Sequence, residues 1–259
     1  MAAKMKMLII SSASLCTAAA LAGCAAAASP PVESRPAATL PSTGAAFAFT
    51  VTGVRPVPAN GSQDTHAQTP ESGCDSAAFS ADKALGIKVA SGFALANFPV
   101  AAGLLRHFLM GTGTEVDYRA GSPISEQAMA SSAFRAVNNE VQQEILSQLK
   151  AGRTRVRLSA AQLPAVAFES TGSDLYWGFR GTQGLTVTGS GSRRGSRYVG
   201  TLLYLIRDSY GFPVNDTLGG FGPPMRYLQT ACGAPAQAGG AHWFPDTITV
   251  SVPFSEHAA

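Results

Sequence analysis

Asp208 and Tyr210 close the apolar run RYVGTLLYLIRDSY, and His242 follows a Gly/Pro-rich interval within Gly240-Ala241-His242-Trp243-Phe244-Pro245-Asp246. A carboxyl, a phenol and an imidazole are residue types that move protons. Asp208, Tyr210 and His242 are therefore the candidate catalytic residues of a hydrolase, provided that the fold brings them together. Each also has a plainer use: Asp208 can cap the turn after its strand, Tyr210 can pack beside Phe212 at a sheet edge, and His242 can be a hydrogen-bonded structural residue. No Gly-x-Ser-x-Gly elbow, His-Glu-x-x-His helix or phosphate loop accompanies them, and Gly111-Thr112-Gly113 and Gly189-Ser190-Gly191 read as turns. His66, His107, His242 and His257 stand at no metal-ligand spacing with the cysteines, so no metal and no other cofactor is expected.

The thiols carry a second kind of chemistry. Lys4 and Lys6 precede an apolar run from Met7 to Leu21, which ends in Leu21-Ala22-Gly23-Cys24. This has the anatomy of an export signal and is short for a membrane span. It resembles the lipobox of bacterial lipoprotein signal peptides. The resemblance implies that residues 1–23 are removed, that the Cys24 thiol receives a diacylglycerol, and that the new amino terminus can be acylated. Two acyl chains on one residue hold stably, since each buried methylene contributes about 0.8 kcal/mol and one chain binds only marginally. The expected location is the extracytoplasmic face of a cell membrane, with the membrane itself as partner through the lipid on Cys24. The alternatives are an ordinary secretory signal cut near the alanines at 25–28, or a retained helix. Cys16 leaves with the signal, so Cys74 and Cys232 remain as a disulfide pair in an oxidising compartment, or as two unrelated buried thiols. A bridge between them would restrain the unfolded chain by about 5 kcal/mol.

Charge narrows the partners. The chain holds 19 Lys and Arg against 16 Asp and Glu, a formal +3, and losing Lys4 and Lys6 with the signal leaves +1. A near-neutral mature chain gives no reason to expect nucleic acid. Arg193, Arg194 and Arg197 form a basic loop that could touch anionic head groups or teichoic polymers, although a solvated hairpin tip also accounts for them.

The elements that must position these groups follow from composition and period. With 46% hydrophobic and 14% charged residues, the chain can bury a core. Residues 24–44, rich in alanine and proline, read as a disordered tether. Residues 45–73 read as a strand over 47–54 followed by a flexible loop, and 74–259 as the folded domain. The uncharged stretch between Lys88 and Arg106 approaches the length of a span, but Gly92, Asn97, Pro99 and Gly103 break it into two buried helical pieces, the second ended by Gly111. A helix opened by Gly121, Ser122, Pro123 and Ser125 carries Phe134, Val137, Val141, Ile145 and Leu149 at spacings of three and four, and Lys150 with Gly152 ends it. Its wet face includes Asn138 and Gln148. Beyond Gly152 the period shortens, and RTRVRLS, VAFES, LYWGFRG, LTVTGSG, RYVGTLLYLIRDSY and TITVSVPF read as strands, with residues 189–195 as a hairpin loop. The expected class is α+β, with amphipathic helices packed on one face of a mostly antiparallel meander sheet.

Two resemblances bear on function. Asp208-Ser209-Tyr210 is similar to a short Asp-x-Tyr element of colicin M-like lipid II hydrolases. Gly211 stands where that family has a second acid, and no His-Arg pair follows. Helix plus meander ending in Asp-x-Tyr-x-Phe resembles secreted bacterial domains more broadly. Three readings follow: a non-catalytic lipoprotein that binds or scaffolds an envelope component or a protein; an envelope-directed hydrolase or toxin-like domain using Asp208 and His242; and a carrier of a hydrophobic ligand in a cavity under the Phe134 helix.

Overall fold

Alternation of small, branched and aromatic residues dictates the strands, and the computed structural model describes residues 47–56, 75–170, 172–180, 184–212, 220–230 and 240–258. Cys16, Cys24, Cys74, Cys232 and the whole of 1–46 lie outside the described residues. Among the described residues six strands form one sheet: β1 (Ala48–Arg55), β2 (Val116–Tyr118), β3 (Arg155–Leu158), β4 (Gly184–Arg194), β5 (Arg197–Tyr210) and β6 (Phe244–His257). Their order is β2-β6-β5-β4-β1-β3. The three long pairings, β1 with β4, β4 with β5 and β5 with β6, are antiparallel, and the short flanking strands β3 and β2 pair parallel to β1 and β6. The fold is α+β and its sheet is mostly antiparallel.

Among the described residues six α-helices complete it: α1 (Ser76–Leu95), α2 (Pro99–Met110), α3 (Pro123–Ala130), α4 (Ser132–Lys150), α5 (Asp174–Phe179) and α6 (Gly222–Thr230). The break between α1 and α2 falls at Asn97, whose φ is 64°, and Pro99 starts the second helix. Of the two pieces α2 is the more buried, with six of its twelve residues in the core. In α1 only Gly86, Ala90 and Phe93 are buried, while Ile87 and Leu95 are exposed. Among the described residues no helix is long and apolar enough to cross a membrane.

The expected stripe of Phe134, Val137, Val141, Ile145 and Leu149 is the buried face of α4. The helix begins at Ser132, however, because Ser131 ends α3 in extended backbone and caps α4 by accepting the Phe134 N–H at 3.1 Å. Two residues assigned to the wet face turn inward. Gln148 is buried and bonded to Glu144 and the Arg157 carbonyl, and Asn138 accepts the Tyr204 hydroxyl at 2.8 Å. The Tyr198 hydroxyl donates to the Leu149 carbonyl at 3.1 Å, so two tyrosines of β5 tie α4 to the sheet.

Two strand expectations and one loop expectation need correction. VAFES lies in irregular chain. Leu175 to Phe179 of LYWGFRG lie in α5 instead, because Ser173 takes the N-cap role and accepts the Tyr176 N–H at 3.4 Å. The loop expected at 189–195 is mostly strand: β4 and β5 stay paired up to Arg194 opposite Arg197, leaving a two-residue connection in which Gly195 has φ 58°. Gly191 belongs to the ladder for a packing reason, since a Cβ there would meet the Phe49 ring at 2.5 Å.

The alternation along each strand defines the two faces. On β5 the residues Tyr198, Leu202, Tyr204, Ile206 and Tyr210 are buried, and on β6 so are Phe244, Ile248, Val250, Val252 and Phe254. Helices cover that side. The other side carries Thr50 and Thr52 of β1, Thr188 and Ser190 of β4, and Thr201 and Leu203 of β5, all exposed.

Gly111 ends α2 with φ 69°, and any Cβ there would collide with the carbonyl oxygen of Gly240. Gly111→Ala is therefore expected to combine left-handed strain with a backbone clash, lowering the melting temperature by more than about 5 °C or preventing folding. A melt within about 1 °C of wild type would refute this account of the α2 terminus.

Candidate functional site

Period two along β5 turns Asp208 to the same side as Ile206 and Tyr210, and period two along β6 turns Asp246 to the side of Phe244 and Ile248. The register sets Asp208 directly opposite Asp246. Residues so paired have Cβ atoms about 5 Å apart, so two carboxyl groups share one position on the helix-covered face. Asp246 is fully buried, and neither of its carboxyl oxygens has a hydrogen-bond partner among the described residues. The layers beside the pair are apolar: Ile206 opposite Ile248 on one side, and Tyr210 stacked on Phe244 at 5.4 Å on the other.

Burial is the main cause that holds both acids above the ordinary carboxyl range. It pushes Asp208 up to about 7. Asp246 rises well above its usual value, first through burial, then through the facing charge of Asp208, with Glu115 adding in the same direction. Two carboxyls at this separation retain a proton that isolated aspartates would lose. Tyr118 of β2, half-buried nearby, is pushed up to about 12 by burial first and then by Asp246 and Asp174, so its phenol stays protonated. Asp174 serves a different purpose. Helix α2 has no side-chain cap of its own, and the Ala101 N–H donates to Asp174 Oδ1 at 2.8 Å, so the first residue of α5 satisfies the start of α2 from outside.

Of the three candidate catalytic residues, Asp208 and Tyr210 share one face of β5, and His242 lies just before β6. Asp208 lies within β5 opposite Asp246, and its carboxyl accepts the Ser209 backbone N–H. Tyr210 is a core aromatic rather than a sheet-edge residue, with ring contacts to Phe108, Phe212 and Phe244. His242 lies before β6 begins: its Nδ1 faces the Trp243 carbonyl, its backbone N–H donates to the Phe108 carbonyl at 3.1 Å, and its ring packs over Gly113. His107, at the end of α2, has Nε2 within 2.9 Å of the Thr114 carbonyl and 3.1 Å of the hydroxyls of Thr112 and Thr114. That pins the turn after the helix and needs no further role.

The partner that sequence reasoning missed is Asp246. The alternation of TITVSVPF, continued back past Pro245, places it on the inward face, and that was the available signal. A half-open depression of about 310 Å³ lies elsewhere, between the starts of α4 and α5, lined among others by Ser131, Ser132, Glu169 and Ser173. The Phe134 ring meets Tyr204 edge to face at 5.1 Å, so helix and sheet are in direct contact where a lipid cavity was sought. Among the described residues no group of three or more His, Cys, Asp or Glu side chains could hold a metal ion.

The arrangement is suited to retaining a proton inside the protein. A raised folded-state pKa makes stability fall as pH rises from about 4, where an unfolded aspartate ionises, to about 7, where Asp208 ionises in the folded chain. Asp246→Asn keeps the shape and removes the ionisation, so it is expected to raise the melting temperature by a few degrees at pH 8 and to leave it nearly unchanged near pH 3.5. Equal destabilisation at both pH values would show that the carboxyl itself is needed. Compared with family models, curated proteins and solved structures, the chain matches none.

Proposed function

We propose that the chain is a lipoprotein anchored through Cys24 outside the membrane, with a non-catalytic domain that binds or scaffolds an envelope component. The observation that carries this reading is the sheet face opposite the helices: among the described residues Thr50, Thr52, Thr188, Ser190 and Thr201 are exposed there, while Asp208 and Asp246 point to the helix side. A hydrolase needs an acid and a base on one open cleft. Here Asp208 faces Asp246 and His242 faces backbone, which favours binding over turnover. The carrier reading draws no support from the closed contact between Phe134 and Tyr204.

A bridge between Cys74 and Cys232 belongs to the same proposal. Asp75, next to Cys74, donates its N–H to the Tyr227 hydroxyl at 2.8 Å, and Tyr227 lies near the end of α6, which closes at Thr230. The chain next to one cysteine is thus close to the helix that leads to the other. A disulfide there would fasten α1 to α6 and fits an oxidising compartment.

Intact mass spectrometry of the chain recovered from bacterial membranes tests both parts. The expected product begins at Cys24, carries a diacylglycerol, and gains two hydrogen masses on reduction. Cys24→Ala is expected to keep residues 1–23 and to lose lipid labelling. A mature chain with an unmodified Cys24 would overturn the anchor, and two free thiols at Cys74 and Cys232 would overturn the bridge.

A further inference from the structure

Charge is unevenly distributed over the sheet. Among the described strand residues, five arginines project from the helix-free face: Arg155 and Arg157 of β3, Arg194 of β4, and Arg197 and Arg207 of β5. The one strand carboxylate on that side is Asp117, which already accepts a hydrogen bond from the Thr247 hydroxyl. Five of the 16 described Lys and Arg residues thus share this face with one strand carboxylate, in a chain whose mature formal charge is only +1. No described carboxylate pairs with Arg155 or Arg157, and both side chains are exposed on the edge strand.

The hydroxyls are as ordered as the charges. Arg155 is in register with Thr50, which faces Ser190, which faces Thr201. Arg157 is in register with Thr52, which faces Thr188. Each row therefore runs from an arginine across hydroxyls at about 4.8 Å intervals, and the two rows lie about 6.7 Å apart. A grid of this kind can exchange hydrogen bonds with a polyhydroxylated chain while the arginines at its edge take up negative groups.

We propose that this face binds an extended anionic polysaccharide, one that carries phosphate or carboxylate groups along a hydroxyl-rich backbone. The inference rests on the proposed display outside the membrane, and it names the partner. Three other occupants fit less well. Nucleic acid is read by exposed aromatics that stack on bases, and the large apolar residues exposed on this face are Val54 and Leu203, neither aromatic. A lipid surface favours protruding aromatic or bulky apolar anchors, and a protein partner favours a desolvated apolar centre.

The test is a titration of the full chain in mild detergent with polygalacturonate, a phosphorylated mannan, neutral dextran, phosphatidylglycerol vesicles and single-stranded DNA. Binding is expected to one or both anionic polysaccharides and not to dextran, weakening as salt rises from about 0.05 M to about 0.5 M. Comparison of the polygalacturonate and mannan arms tells carboxylate from phosphate. The double substitution Arg155→Ala with Arg157→Ala is expected to weaken binding roughly tenfold. Arg155→Lys with Arg157→Lys, which keeps the charge and guards against misfolding, should stay within roughly threefold, and so should Arg106→Ala on the helix side. Tighter binding to DNA or vesicles, equal binding to dextran, or an equal loss in Arg106→Ala would overturn the proposal. Lipidation at Cys24 is read separately by mass, so an unlipidated chain that still binds the polymer would refute the location and leave the surface standing.

Discussion

The pairing of β5 with β6 is the constraint from which the rest of the structure follows. It runs without interruption from Arg197 opposite His257 to Tyr210 opposite Phe244. Because side chains alternate strictly along a strand, fixing this register decides for both strands which residues enter the core and which meet solvent. A slip of one residue would turn Asp208 and the tyrosines outward and bring Thr201, Leu203 and Arg207 under the helices. The tyrosine hydroxyls guard against such a slip, since Tyr198 and Tyr204 reach Leu149 and Asn138 of α4 only in the observed register.

The same constraint forces an unfavourable encounter. Two aspartates face one another in a layer bounded by isoleucines on one side and by stacked aromatic rings on the other. An apolar pair of similar volume would pack there at lower cost, because burial disfavours the charged form and the facing acid adds to the penalty. The fold accepts the pair by holding a proton. Glu115 adds to the acidic surroundings on the β2 side, where the Tyr118 phenol stays protonated, so the sheet interior near this edge is electrically quite unlike its solvent-facing side, where arginines prevail.

Much of the architecture was legible because the strong signals were periodic. The α4 stripe, the glycine terminators at Gly111 and Gly152, the interruption before Pro99 and the long β5 strand all follow from spacing and backbone preference. Short apolar segments were the failures. LYWGFRG holds too few residues for its period to separate strand from helix, and its Ser-Asp start decided for helix. The glycines and serines of β4 read as turn chemistry, whereas Gly191 is there to make room for Phe49. For the site, the sequence placed Asp208 at a strand end among acids and aromatics but joined it to His242. Residue type favoured the histidine, whose imidazole could serve as a base; cross-strand register, which one sequence does not display, sets Asp246 opposite Asp208.

Strand β1 has a temporal consequence. It is made before every other described element, yet its neighbours are β4, which pairs Ala48 with Ser192, and β3, which pairs Thr50 with Arg155. Contacts spanning such separations form slowly, and a chain made from its amino terminus exposes early segments first. The opening strand, with Phe49 and Val51 on its apolar side, therefore waits without a ladder until most of the polypeptide has appeared. During that interval it is the sticky part of the molecule, and keeping it from self-association falls to whatever holds the nascent chain.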